Sequence, residues 1–128
     1  MKVLIVEDNQ DLCDIYSFYF QKRGWDVVVK NDGLNAIAQV ADINPDLIVL
    51  DLMIPELDGF GFLDAVQNNT SLDFCVIVAS NLSSDADIQR AKKLGAYGYL
   101  QKSDYTGTEL VEKVLGIFTE FRDTHPSK

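Results

Sequence analysis

Apolar residues in this chain gather into short runs separated by stretches with helical spacing. Lys2-Val3-Leu4-Ile5-Val6 leads into Glu7-Asp8, and Asp46-Leu47-Ile48-Val49-Leu50 leads into Asp51. Phe74-Cys75-Val76-Ile77-Val78-Ala79 leads into Ser80, and Tyr97-Gly98-Tyr99-Leu100-Gln101 into Lys102. Runs of this length, bounded by polar or turn residues, predict strands buried on both faces of a parallel sheet. Trp25-Asp26-Val27-Val28-Val29 predicts a further, shorter strand.

Between these runs the period changes to that of a helix. Residues Asp11 to Lys22 carry Leu12, Ile15, Tyr16, Tyr19 and Phe20 at helical spacing, and Gly24 stands where a helix stop belongs. After the turn Asn31-Asp32-Gly33, the positions Leu34, Ile37, Ala38 and Ala41 predict an inward stripe, ending before Asn44-Pro45. A loop containing Pro55 and the turn Asp58-Gly59 introduce a helix to about Asn68, with Phe60, Leu63 and Val66 inward. Ser84 is the expected N-cap of a helix running to Leu94 and closed by Gly95. Thr106-Gly107-Thr108-Glu109 fits a capping box for a last helix striped by Leu110, Val114, Ile117, Phe118 and Phe121. His125-Pro126-Ser127-Lys128 reads as a frayed tail or cut linker, giving a domain over 1–122 and a tail over 123–128.

Strict alternation of strand and helix predicts an α/β fold of the (βα)5 type. Its five strands are mostly parallel, joined by right-handed crossovers, and doubly wound with helices on both faces. In such sheets ligands bind outside the carboxyl ends of the strands. Glu7, Asp8, Asp51, Ser80 and Lys102 all arrive at that one edge, from four strands. Three carboxylates brought together repel, and one would take up a proton unless a hard divalent cation removed the conflict.

Composition narrows the function classes. A chain of 128 residues is one domain able to bury about two-thirds of its unfolded surface. The net charge of −9 argues against direct nucleic-acid binding, which needs clustered Lys and Arg. Cys13 and Cys75 lie inside predicted elements and are expected to be inert core thiols. No apolar stretch approaches the roughly 18 residues of a membrane span. The start of the chain has no signal-peptide layout, so a cytoplasmic location without membrane contact is expected. His125, the only histidine, falls in the tail and is not expected to carry chemistry.

Four pieces occur in order at strand ends: Glu7-Asp8, the segment Asp51-Leu52-Met53-Ile54-Pro55-Glu56-Leu57-Asp58-Gly59, Ser80, and Gly95-Ala96-Tyr97-Gly98-Tyr99-Leu100-Gln101-Lys102. Together they resemble the CheY-like receiver domains of two-component response regulators, over Lys2 to about Phe121. The flavodoxin-like strand order 2-1-3-4-5 is adopted with the fold, making the first and third strands neighbours. The resemblance implies that Asp51 accepts a phosphoryl group from a sensor histidine kinase or histidine phosphotransfer protein. It implies Mg²⁺, with Mn²⁺ or Ca²⁺ able to substitute, held by Asp8, Asp51 and the Met53 backbone carbonyl, while Glu7 acts mainly through water. Lys102 and the Ser80 hydroxyl would each take a phosphoryl oxygen. A switch is also implied, in which Ser80 moves toward the phosphoryl group and Tyr99 turns inward. The surface so altered, formed by the fourth helix, fifth strand and fifth helix, would receive a downstream protein or a second copy in a phosphorylation-dependent homodimer. Catalysis would be confined to the chain's own phosphorylation and dephosphorylation, so it would not be an enzyme in the ordinary sense.

This chain also departs from the family. The residue after Lys102 is usually proline, often after a cis bond, whereas here it is Ser103. A cis bond before serine costs about 3 kcal/mol, so the geometry of this loop stays open. Met53 and Leu82 stand at two positions that tune loss of the phosphoryl group, and neither can hydrogen-bond an attacking water, which predicts a long-lived phospho-form. A stand-alone receiver is favoured over the N-terminal receiver of a longer regulator with a separate output domain. An Asp-nucleophile phosphatase would need a second aspartate where Met53 stands. A flavodoxin-like redox protein would need a Ser/Thr/Gly-rich loop after the first strand. A phosphorylation-independent docking module would not need the intact acid, aspartate, serine and lysine set.

Overall fold

The computed structural model describes residues 1–68 and 74–125. Strands β1 (Lys2–Val6), β2 (Asp26–Lys30), β3 (Leu47–Leu50), β4 (Cys75–Ser80) and β5 (Gly98–Gln101) alternate with helices α1 (Gln10–Lys22), α2 (Gly33–Ile43), α3 (Gly59–Gln67), α4 (Asp85–Lys93) and α5 (Gly107–Thr124). Neighbouring strands pair in parallel in the order β2-β1-β3-β4-β5, as expected for the (βα)5 fold.

The central strands β1, β3 and β4 are buried because helices cover both faces of the sheet. β5, expected to be buried in the same way, is an edge strand on which Gly98 and Leu100 are buried while Tyr99 and Gln101 are only half so. Helices cover an edge less completely than a centre, and apolarity alone does not reveal which strand lies there. One face of the sheet packs against Tyr16 and Phe20 of α1 and Leu110, Val114 and Phe118 of α5. The other packs against Ala36 and Val40 of α2, Phe62 and Leu63 of α3 and Ala91 of α4.

The stripe expected on α2 is not the one that forms. Leu34, Ala38 and Ala41 face solvent, and Gly33, Ala36 and Val40 face inward. Gly33 sets this rotation: its N–H donates to the Pro55 carbonyl at 3.2 Å. A Cβ there would lie 1.8 Å from the Leu57 carbonyl oxygen. The loop after β3 therefore seats on the first turn of α2, and only a residue without a side chain admits it.

Helix starts follow local chemistry. The side chains of Asn9, Asp32, Asp58, Ser84 and Thr106 each accept a first-turn backbone N–H. Thr106 and Glu109 form the reciprocal capping box anticipated from the sequence. α5 continues to Thr124 and so takes in residues 123 and 124, which the sequence assigned to the tail. His125 stacks on Phe121 with ring centres 4.3 Å apart. The remainder of that tail, 126–128, lies outside the described residues.

Candidate functional site

Because Val6 pairs with Leu50, the residues that follow them leave the sheet side by side. The Asp51 N–H continues the ladder onto the Val6 carbonyl at 3.0 Å, and the Glu7 N–H bonds the Lys30 carbonyl at 3.1 Å. Carboxylate oxygens of Glu7, Asp8 and Asp51 consequently lie within 4.8 Å of one another. Glu7 and Asp51 are buried, 3% and 5% exposed, while Asp8 is exposed. Lys102, delivered by the end of β5, places Nζ 2.7 Å from Glu7 Oε1 and 2.8 Å from Asp51 Oδ2. The other oxygens are held too. Glu7 Oε2 accepts the Asn9 N–H at 3.1 Å, and Asp51 Oδ1 accepts the Met53 N–H at 3.0 Å.

Burial pushes the Glu7 carboxyl above the usual range, against the downward pull of its bond from Lys102. Burial acts on Lys102 in the opposite sense, but the hydrogen bonds to Asp51 and Glu7 outweigh it and hold the ammonium above its ordinary value. Two of the three clustered carboxylates bond this one ammonium, leaving an excess of negative charge. The donor set is all oxygen, the ligand chemistry of a hard cation, and the cluster could hold one.

A supporting layer surrounds these groups. The Glu7 carbonyl accepts both the Cys13 thiol, at 3.3 Å, and the Asn31 side-chain amide, at 3.0 Å. Cys13 thus helps hold the acidic loop in addition to packing in the core. Burial pushes the Cys13 thiol up to about 11 and that of Cys75 up to about 12, so both stay protonated. Asn31 is not among the residues expected from the sequence. Its signal was a polar residue directly after the strand that flanks β1.

Ser80, fully buried at the end of β4, accepts the Leu82 N–H on Oγ at 3.3 Å. The Tyr99 hydroxyl donates to the Leu82 carbonyl at 2.5 Å. Burial, with Asp87 and Asp51 nearby, raises the Tyr99 hydroxyl above its usual range. The side chain of Met53 is 58% exposed, and its backbone N–H is what touches Asp51. The structure therefore joins Glu7, Asp8, Asp51 and Lys102, with Met53 contributing its backbone. Ser80 and Tyr99 bond instead to the backbone of Leu82, in the loop after β4. Among the described residues no peptide bond is cis, and Lys102–Asp104 form a 3₁₀ turn. Among them, too, no helix is long and apolar enough to cross a membrane.

Comparison with known proteins places this geometry in context. The family model described as the response regulator receiver domain matches residues 3–115. The response regulator SaeR of Staphylococcus aureus is 31% identical over 123 residues, covering 96% of this chain and 53% of SaeR. The transcriptional regulatory protein YclJ of Bacillus subtilis is 27% identical over 124 residues, covering 97% of this chain and 53% of YclJ. The chain spans about half the length of the curated relatives it matches. Among solved structures, the receiver domain of the Francisella response regulator 1452 is 29% identical with a TM-score of 0.80, covering 94% of this chain and 98% of that one. The Vibrio cholerae chemotaxis protein CheY4 is 27% identical with a TM-score of 0.81, covering 91% and 97% respectively.

Proposed function

This chain belongs to the response regulator receiver domain family, and on that premise we propose that Asp51 accepts a phosphoryl group from a phosphohistidine on a sensor histidine kinase or histidine phosphotransfer protein. A carboxylate oxygen of Asp51 forms the bond to phosphorus. The phosphorus–nitrogen bond breaks, and the imidazole keeps its electron pair. The observation that carries this reading is the Lys102 ammonium bonded to both Asp51 and Glu7 in a cluster of three carboxylates. That ammonium stands where charge develops on the transferring oxygens. The Met53 N–H and Lys102 together fix the orientation of the Asp51 carboxylate. Glu7, Asp8 and Asp51, with the Met53 carbonyl, would hold Mg²⁺, for which Mn²⁺ or Ca²⁺ could substitute. When bound, that cation supplies positive charge to the acidic pocket and to the incoming phosphoryl oxygens.

The Ser80 hydroxyl would leave the Leu82 N–H to reach a phosphoryl oxygen. Because the Tyr99 hydroxyl bonds the Leu82 carbonyl, displacement of that loop would draw on the ring as well. This supports a switch read out on α4, β5 and α5, where a downstream protein or a second copy would dock. The exposed thioether of Met53 and the aliphatic side chain of Leu82 offer no hydrogen bond to an attacking water, which supports a slowly hydrolysed phospho-form. Catalysis on this reading is limited to the chain's own phosphorylation state. The match to only about half of each curated relative favours a second reading, in which the receiver serves a separate output domain.

Incubation with acetyl phosphate and Mg²⁺, followed by intact-mass measurement, tests the reading. The expected result is one added phosphoryl group, lost when Mg²⁺ is omitted and absent from Asp51→Asn. An unmodified wild-type mass with every donor would overturn it in favour of a docking module.

A further inference from the structure

β4 and β5 pair as far as Ser80 opposite Gln101, and both segments leave the sheet there. In a parallel ladder the next amide on the β5 side would seek a backbone carbonyl on the β4 side. Here the Ser103 N–H meets the side chain of Asn81 instead, with N to Oδ1 at 3.0 Å. Asn81 directly follows Ser80, and Ser103 directly follows Lys102. One side-chain bond thus ties the loop carrying the hydroxyl to the loop carrying the ammonium. Each loop is also closed on itself: the Leu82 N–H bonds Ser80 Oγ, and the Tyr105 N–H bonds the Lys102 carbonyl at 3.2 Å.

The tie depends on this chain's own residues. A proline at position 103 would have no N–H to offer, and an alanine at 81 would have no acceptor. Lys102 needs an anchor, because a long flexible side chain loses entropy when its head is fixed between two carboxylates. The 3₁₀ turn that it opens is short and of a kind with poor hydrogen-bond geometry.

We infer that Asn81 is a positioning residue for phosphoryl transfer, holding the Lys102 backbone through the Ser103 amide so that the ammonium stays between Asp51 and Glu7. The same bond passes any displacement of the Ser80 loop to Lys102. The effect on rate rests on the phosphoryl-transfer reading, whereas the effect on Lys102 does not.

Asn81→Ala separates the two. In the wild type the Ser103 amide is expected to be protected from exchange, and the Lys102 ammonium to give a resolved ¹⁵N signal. In Asn81→Ala the Ser103 amide should lose protection and the ammonium signal should broaden or vanish. Phosphoryl uptake from acetyl phosphate should slow about two- to tenfold, the span of one neutral hydrogen bond, with the Mg²⁺ midpoint unchanged. Asn81→Asp, which keeps a side-chain oxygen, should retain protection at Ser103. An unprotected Ser103 amide in the wild type would overturn the inference, as would an Asn81→Ala protein with an undisturbed Lys102 signal. If the wild type takes up no phosphoryl group, the functional reading fails while the two resonances still judge the positioning role.

Discussion

The α1–α5 pair on one side of this sheet and α4 on the other are held by different means. α1 and α5 are fastened by large side chains: Tyr16, Phe20, Val111, Val114 and Phe118 are buried. Phe20 and Phe118 both meet the Trp25 ring edge to face, with centres 5.7 and 5.2 Å apart. α4 has nine residues and buries only Ala91 among them, helped by Arg90 lying over the Phe60 ring at 4.1 Å. Burying a large apolar side chain contributes roughly 1.5–3 kcal/mol and a methyl-sized group about 0.8, so the first pair belongs to the global folding unit and α4 opens locally at small cost. The weakly fastened helix is the one reached directly from the Ser80 loop. Local opening is thus cheapest beside the Ser80 loop, whereas α5, which shares the proposed read-out surface, is held firmly.

Four measurements would sharpen or break that contrast. Phe20→Ala should have the largest effect, removing about 3–5 kcal/mol of global stability in urea unfolding followed by circular dichroism. A loss confined to a few tenths would mean the aromatic side is not what holds the fold.

Lys102→Ala strikes the seam between the two sides and should cost about 1–3 kcal/mol at neutral pH, because Glu7 and Asp51 lose their shared cation. The sign with pH follows from the two shifts. The Lys102 value is raised, so in the wild type its contribution is complete below the ordinary 10.5 and disappears as pH climbs through the higher folded value. The Glu7 value is already raised above 4.5, and removing the Lys102 bond that pulls it down raises it further, so the variant regains more stability than the wild type as pH falls toward 4.5. Urea midpoints across that range that stayed parallel to the wild type would contradict this account.

Amide exchange should then rank the helices directly. α4 is expected to exchange more than tenfold faster than the cores of α1 and α5, a difference of about 1.4 kcal/mol. Equal protection would erase the distinction. The smallest effect comes from two matched caps. Thr106→Ala should lower global stability by about 1 kcal/mol, whereas Ser84→Ala should fray α4 and leave the urea midpoint nearly where it was.

Much of this architecture was legible in the sequence because it is written locally. Strand ends, the five helices and the Thr106–Glu109 box depend on neighbours along the chain, and so does the convergence of Glu7, Asp8, Asp51 and Lys102 once the strand order is adopted. The face of α2 was not legible. Leu34, Ile37, Ala38 and Ala41 make as good an apolar stripe as Ala36, Val40 and Ile43. The choice between them falls to the loop near Leu57, which packs on Gly33 from across the molecule. The supports of the site were hidden for the same reason. Asn31 and Cys13 reach the Glu7 carbonyl, and Asn81 reaches Ser103, through contacts between segments that no periodicity announces.

The lone tryptophan carries a practical consequence. Trp25 precedes β2, whose far end bonds Glu7, and five strand residues put about 16 Å between them. Its emission is therefore an optical gauge of the aromatic side, quenched or shifted when α1 and α5 come apart. Cation loading at the acidic edge should leave that emission unchanged, so following it by fluorescence would require an indole installed elsewhere.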